Sequence, residues 1–155
     1  MGELIRHNDN RIDQLEAEMV ANFTQIDCPL THRFTKGMYI REIFMPEGSL
    51  VTSKIHKTQH PFIVSKGSVM VSIDGGEWVK ITAPYTGITQ SGTRRILFIL
   101  EDCIWTTFHR FPRITGEEND LPEAKKVELA EKIEHKIIKK HTNELLNHTI
   151  CHLQQ

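Results

Sequence analysis

The chain has 155 residues, a length that suits one domain able to bury a sizeable core without help from disulfides or metals. Its 19 basic and 20 acidic residues give a formal net charge of -1 with the histidines neutral, so the composition gives no electrostatic case for binding nucleic acid or anionic membrane. The longest apolar run, Ile96–Leu100, is far too short to cross a bilayer. Neither nucleic acid nor a membrane is therefore an expected partner.

The cysteines and the N-terminal residues bear on the cellular compartment. Cys28, Cys103 and Cys151 are odd in number, widely spaced and without a Cys-x-x-Cys pair. This pattern argues against a disulfide framework and favours a reducing environment. The first eight residues have a charged, interrupted apolar pattern, unlike the apolar core of a secretory signal. The sequence therefore predicts a cytoplasmic protein whose cysteines pack as small apolar side chains.

The first predicted element is a helix within an N-terminal segment of residues 1–34. Its apolar residues recur at helical spacing, so they form one stripe that we expect to pack against the rest of the domain. These residues are Ile12, Leu15, Met19 and Phe23.

From Gly37 the pattern changes to short runs rich in Ile, Val, Phe and Thr, broken about every ten residues by turn residues. Such spacing is typical of an all-β sandwich or barrel, which we place at residues 35–112. The segment Asp74–Gly76 between two apolar runs predicts a tight hairpin, because glycine supplies the positive φ that the turn needs. The last predicted strands are Arg95–Leu100 and Ile104–His109.

Residues 113–155 predict a linker followed by a helix that starts near Pro122, since proline is favoured in a first helical turn. The helix has an apolar stripe that must pack on the barrel or on a second copy of the chain. The sequence therefore also predicts a homo-oligomer, most simply a dimer. The stripe consists of Val127, Ala130, Ile133, Ile137, His141 and Leu145.

The middle of the chain has the spacing of a known histidine motif, Gly-x5-His-x-His-x3-Glu-x6-Gly. Gly48, His56 and Gly67 stand at the expected places, whereas Lys54 replaces the first histidine and His60 replaces the glutamate. In this spacing the segment resembles the cupin family. The resemblance implies a mainly β fold, a single cupin-type antiparallel β-barrel (jelly roll), here with an N-terminal helix and a C-terminal helix.

Further segments extend the resemblance. A second cupin motif is matched loosely around Pro84, with Thr86 in place of its glycine and Thr89 in place of its histidine. The segments Gly92–Arg95 and Trp105–His109, together with the histidine segment, are similar to small cupin-like proteins encoded by phages and prophages. This likeness implies a phage or prophage setting, in the host cytoplasm or with virion proteins as partners, and it implies no particular activity.

The histidines predict one kind of site. Lys54 and His56 lie two residues apart in a predicted strand, so both side chains project to one face. His60 follows the strand and can turn back toward His56, and His109 is the third local candidate. Neutral imidazoles bind divalent transition metals, so His56, His60 and His109 are candidate ligands of one Zn, Ni, Fe or Mn ion. The alternative is a hydrogen-bonded polar cluster without metal.

A second kind of site is a pocket for an anion. The ammonium group of Lys54 repels a cation and suits a carboxylate or phosphate. We predict a ligand pocket lined by Lys54, Arg95 and Trp105 that takes a small, anionic molecule. Arg94 and Arg95 are expected on opposite faces of a strand, and the structural role of such a pair is to bond carboxylates or loop carbonyls.

Two functions compete at this point. The first is a cupin pocket for a small molecule or a divalent metal, with catalysis left open and no catalytic residue assigned. The alternative is a non-catalytic phage accessory or virion-associated assembly protein. A carbohydrate-binding barrel ranks last, because only the two tryptophans suggest it. The fold alone cannot choose among them.

Overall fold

The computed structural model describes residues 2–111, 122–136 and 150–153. Two long antiparallel strands, β6 (His60–Ile73) and β9 (Arg95–Arg110), form the centre of the fold and pair along most of their length. The other edge of β9 pairs with β4 (Ser49–Thr52) near its start and with β3 (Met38–Met45) near its end. Each long strand therefore pairs with one group of strands near its start and with another group near its end.

The outer strands extend these two groups. Strand β2 pairs with β3, and β7 and β8 pair with successive parts of β6. On the far side β11 pairs with β4, and β1 pairs with β11, so a C-terminal strand separates the first strand from the body of the sheet. The bounds are β1 Thr24–Gln25, β2 Leu30–Thr35, β7 Trp78–Thr82, β8 Tyr85–Thr89 and β11 Ile150–Leu153.

The sheet bends where β6 and β9 lose regular register. The pairing shifts three times between Val64 and Val69, and Gly67 at this place has a φ of 84°. Bulges bend a strand and increase its twist, so each long strand passes from one half of the sheet to the other. The apolar side chains of both halves meet in one core cluster, which contains Ile43, Met45, Val51, Phe62, Val64, Val69, Val71, Ile81, Leu97, Ile99, Cys103 and Trp105.

Two helices lie outside the sheet. Helix α1 (Gly2–Asn22) precedes the strands, and α2 (Glu123–Glu134) leads into the short strand β10 (His135–Lys136), which pairs with β5 (Ile55–His56). Helix α2 packs on the barrel through Ala130, which joins a second buried cluster. In the described part of the chain, neither helix is both long and apolar enough to span a bilayer.

Helix α1 packs with a face that is only partly apolar. Ile12 and Met19 are fully buried, whereas the other two residues of the expected stripe are half-buried. Asp13 and Glu16 are buried on the same helix and hold the guanidinium of Arg94 at 2.7 and 2.6 Å. Burial alone lowers the pKa of Arg94, but the two carboxylates outweigh it and raise that pKa. An ion-pair cluster thus joins α1 to the sheet.

The mainly β fold class, an antiparallel sheet with one helix before it and one after its last long strand, is confirmed. The hairpin at Asp74–Gly76 is also confirmed, since Ser72 pairs with Trp78 across it. The break between two final strands is wrong, because β9 runs through Glu101 and Asp102. The Asp102 side chain accepts a hydrogen bond from the Glu47 backbone at 2.9 Å instead of starting a turn.

The C-terminal segment and the cysteines differ in part from the expectation. Helix α2 starts beside Pro122 as predicted but ends at Glu134, and the later part of the expected stripe, from Ile137, lies outside the described residues. Cys103 is free and buried, and burial raises its pKa to about 11. Cys28 is disulfide-bonded, so the expectation of only reduced cysteines is wrong for this residue.

Candidate ligand pocket

A small cavity lies inside the barrel where β3, β4, β5 and β9 come together. Its volume is about 50 Å³, room for one or two waters or for one end of a ligand. Among the described residues that line it, four side chains are basic and none is acidic. The lining consists of Arg41, Ile43, Met45, Val51, Ser53, Lys54, His56, Arg95, Leu97, Trp105 and Thr107.

Arg95 is the most unusual residue of this cavity. It is only 6% exposed, and its guanidinium lies over the rings of Phe62 and Trp105, at 5.0 and 5.5 Å from their centroids. Within the described residues its guanidinium makes no ion pair and no hydrogen bond; the backbone NH alone donates to Ser53 Oγ at 2.8 Å. The buried cation therefore rests on aromatic faces without a carboxylate partner.

The pKa of Arg95 reports the same environment. Burial lowers this pKa from its ordinary value to about 10, while the charge of Asp74 and, more weakly, that of Tyr85 act to raise it. Because the folded-state pKa is the lower one, the charged form is disfavoured in the folded protein. Arg95 is still charged at neutral pH, so it costs stability there, and that cost disappears only as the pH rises above about 10.

The aromatic rings under Arg95 form a rigid platform. Phe62 and Trp105 stack with their centroids 4.4 Å apart and their planes at 11°. Trp105 reaches the platform from β9 and Phe62 from the neighbouring strand β6. The structure thus brings all three residues of the predicted ligand pocket, Lys54, Arg95 and Trp105, to one cavity.

The three predicted metal ligands also come together, but as a row of rings. His56 and His60 are buried with ring centroids 4.8 Å apart, and His109 lies 4.2 Å beyond His60. The ring of Tyr39 continues the row at 5.6 Å from His109. His56 lines the cavity, and the row leads away from it toward the part of the barrel that α2 covers.

The described residues give no support for a metal at these histidines. Two ring nitrogens face protein oxygens: His60 Nδ1 is 3.0 Å from the Thr58 carbonyl oxygen, and His109 Nε2 is 2.7 Å from Thr107 Oγ1. Within the described ranges, no group of three or more His, Cys, Asp or Glu side chains is placed to hold a metal ion. The His56–His60 and His60–His109 ring pairs are tilted, at 58° and 49°, and the cavity beside them is lined by basic side chains.

The position of the last motif histidine supports this conclusion. Thr89 stands there, directly opposite His60 in the pairing of β6 with β8. Its hydroxyl is fully buried and has no hydrogen-bond partner within the described residues. A threonine hydroxyl is not among the usual protein ligands of zinc, so a fourth nitrogen or carboxylate ligand is missing at this place.

Three features of the site were not predicted from the sequence. Arg41 lines the cavity from β3, but both faces of this strand are largely apolar, so alternation does not identify its inward side. Phe62 supplies half of the platform although it follows Pro61 at one of the unspecified positions of the histidine motif. The expected separation of Arg94 from Arg95 is confirmed, but that both carboxylates binding Arg94 come from α1 was not predicted.

Comparison with known proteins gives structural similarities. No protein-family model matches the chain, and no curated protein does. The cupin domain of Cnp3 from Schizosaccharomyces pombe has a TM-score of 0.46 at 12% identity, over 56% of this chain and 65% of that one. A cupin superfamily protein from Desulfitobacterium hafniense has a TM-score of 0.47 at 6% identity, over 57% and 81%. A cupin-2 domain protein from Shewanella frigidimarina has a TM-score of 0.43 at 12% identity, over 63% and 92%.

All three of these proteins carry the word cupin in their names, and none of the names indicates a phage. The described topology itself gives the mainly β fold class, and the cavity residues give the basis for a function.

Proposed function

We propose that the barrel interior binds a small anionic molecule, with Arg95 as the main contact and Arg41 and Lys54 beside it. The single observation that carries the proposal is the buried Arg95 guanidinium, which lines the cavity without a carboxylate or hydrogen-bond partner in the described part of the chain. A charged group that is buried in this way destabilises a protein unless it is paired. A bound anion supplies the missing partner.

Carboxylate and phosphate are the anions that suit this cation. A guanidinium can donate two parallel N–H bonds to either group, and such charge-assisted bonds are about twice as strong as neutral ones. The cavity of about 50 Å³ is far below the roughly 300–1,000 Å³ of a pocket for a whole drug-sized ligand. The interior cavity therefore fits the charged end of a ligand rather than a large molecule.

Replacing Arg95 with Met tests the proposal. Wild-type protein is expected to bind acetate or inorganic phosphate in isothermal titration at pH 7 and low salt. The variant should bind at least tenfold more weakly, because the anion loses its main cationic contact. Folding stability should not fall, because Met removes a buried charge and keeps much of the apolar stem. Arg33→Met is the matched control, since Arg33 is 55% exposed and lies on β2.

Equal anion affinities of wild type and Arg95→Met would contradict the proposal. Denaturant unfolding of both proteins accompanies the titration, so a folding defect is recognised separately.

Metal content distinguishes the anion pocket from the predicted metal site. We expect protein purified without an affinity tag or chelator to contain well under one equivalent of zinc, nickel, iron or manganese by elemental analysis. The reason is the ring-to-ring arrangement of His56, His60 and His109 next to a cationic cavity. One equivalent of metal that is lost in both His56→Ala and His60→Ala would instead support these histidines as ligands.

The remaining expectations concern setting and assembly. A phage or prophage setting, virion-associated partners and a homodimer stay predictions, and so does the alternative role as a non-catalytic assembly protein. The proposed pocket is compatible with an enzyme and with a binding protein, since charged ligand contacts occur in both. The genes next to the coding sequence test the setting directly.

A further inference from the structure

A second, larger cleft opens beside the cationic cavity on the side of β7 and β8. Its volume is about 300 Å³, which reaches the size range of small-molecule pockets. Apolar and aromatic side chains make up most of its lining, among them Phe62, Val79, Tyr85 and Ile88. Arg95 lines this cleft as well as the interior cavity, so the same buried cation is adjacent to both.

The cleft exposes an unusual amount of apolar surface. Ile88 is 62% exposed, Val79 58% and Ile73 50%, although all three line the cleft. Contiguous exposed apolar surface of this kind marks a binding site on most proteins. Its position next to a buried cation distinguishes it from a simple patch for protein contact.

The floor of the cleft depends on a glycine. A Cβ built at Gly87 would lie 2.6 Å from the ring atom Cζ of Phe62 and 3.1 Å from the ring of Tyr85. The absence of a side chain at this position lets the Phe62 ring approach β8 closely, where it contacts Arg95 and lines the cleft. Because residue 87 is a glycine, the aromatic surface next to Arg95 stays accessible from the cleft.

We propose that the ligand is an amphipathic carboxylate, whose acidic group binds Arg95 and whose ring or short aliphatic chain lies in the cleft between Phe62 and Ile88. This inference rests on the proposed anion-binding function and adds the chemistry of the rest of the ligand. An apolar cavity of about 150 Å³ holds a benzene ring in another protein, so about 300 Å³ has room for a ring and a short linker.

The charges around the cleft agree with a ligand that has a single acidic group, bound at Arg95. Glu77 and Lys80 are exposed at the cleft with opposite charges, so the rim has no strong preference for either sign. The body of the proposed ligand would mainly contact apolar and aromatic side chains. Charge complementarity is thus confined to Arg95, at the junction of the two cavities.

The test compares acetate with phenylacetate by isothermal titration, using the full chain. Wild type is expected to bind phenylacetate at least tenfold more tightly than acetate, because the ring removes apolar surface from water. Val79→Gln and Ile88→Gln should weaken phenylacetate binding at least fivefold and leave acetate binding unchanged, and Arg95→Met should weaken both. Met38→Gln is the matched control, since Met38 is 42% exposed and does not line the cleft.

Each outcome decides a separate point. Acetate binding that depends on Arg95, together with no preference for phenylacetate, overturns the amphipathic ligand and leaves the proposed function intact. No binding of either anion by wild type overturns both. Light scattering is run on the same proteins: a dimer that dissociates in Val79→Gln and Ile88→Gln, with phenylacetate affinity unchanged, assigns the cleft to a second copy of the chain and overturns the inference.

Discussion

Replacing Arg94 with Ala is expected to lower the free energy of unfolding by about 3–5 kcal/mol, the usual cost of removing one partner from a buried ion pair. The guanidinium is held at 2.7 Å by Asp13 and at 2.6 Å by Glu16, and Thr52 donates a hydrogen bond to Glu16 at 2.7 Å. Without Arg94, both buried carboxylates lose the guanidinium that pairs with them. Urea unfolding of the variant measures the effect.

An exposed ion pair provides the control. Arg33 and Glu42 lie 3.7 Å apart with side chains 55% and 33% exposed, so Arg33→Ala should cost less than about 1 kcal/mol. If Arg94→Ala unfolds at the same urea concentration as Arg33→Ala, α1 is not held to the sheet by this cluster.

Replacing Gly67 with Ala is expected to destabilise the protein by about 2–5 kcal/mol. The φ of 84° puts any other residue in the left-handed region, at a cost of about 1–2 kcal/mol. In addition, the new Cβ would clash with the Asp102 carbonyl oxygen and lie 2.7 Å from that of Glu101, and overpacking of this kind costs about 1–3 kcal/mol. Both oxygens belong to the backbone of β9, which cannot move aside as a flexible side chain can.

A second glycine separates these two effects. Gly37 has a φ of 81° but nothing within 4 Å of a built Cβ, so Gly37→Ala should cost only the conformational part, about 1–2 kcal/mol. Denaturation midpoints of the two variants measure the difference. Equal midpoints would mean that β9 adjusts to the added methyl group at the bend.

Gly67 also shows what the motif spacing means physically. In the sequence it is only the last residue of a histidine motif, yet in the structure it lies at the bend where β6 and β9 pass between the two halves of the sheet. The spacing predicted the fold class because it includes the glycine that the bend requires. It does not identify the chemistry, because Lys54 and His60 replace two residues of the motif and the described ranges contain no group of three His, Cys, Asp or Glu side chains placed to hold a metal ion.

The neighbouring arginines show how much of the site can be predicted from the sequence. Alternation along a strand predicts that Arg94 and Arg95 face opposite sides, and the structure places one against α1 and the other in the barrel. Alternation does not say which of the two finds carboxylates. That depends on Asp13 and Glu16, which lie about 80 residues earlier and meet Arg94 only after the chain has folded.

Strand β11 has a consequence for the order of folding. It lies between β1 and β4, so the strand partner of Thr24 is Leu153, more than a hundred positions later. On the ribosome, residues 24 and 25 therefore leave the exit tunnel long before the strand that they pair with has been synthesised. Closing so long a loop is entropically costly and slow, so the edge of β4 stays open during synthesis and is accessible to chaperones or to wrong pairing partners until β11 covers it.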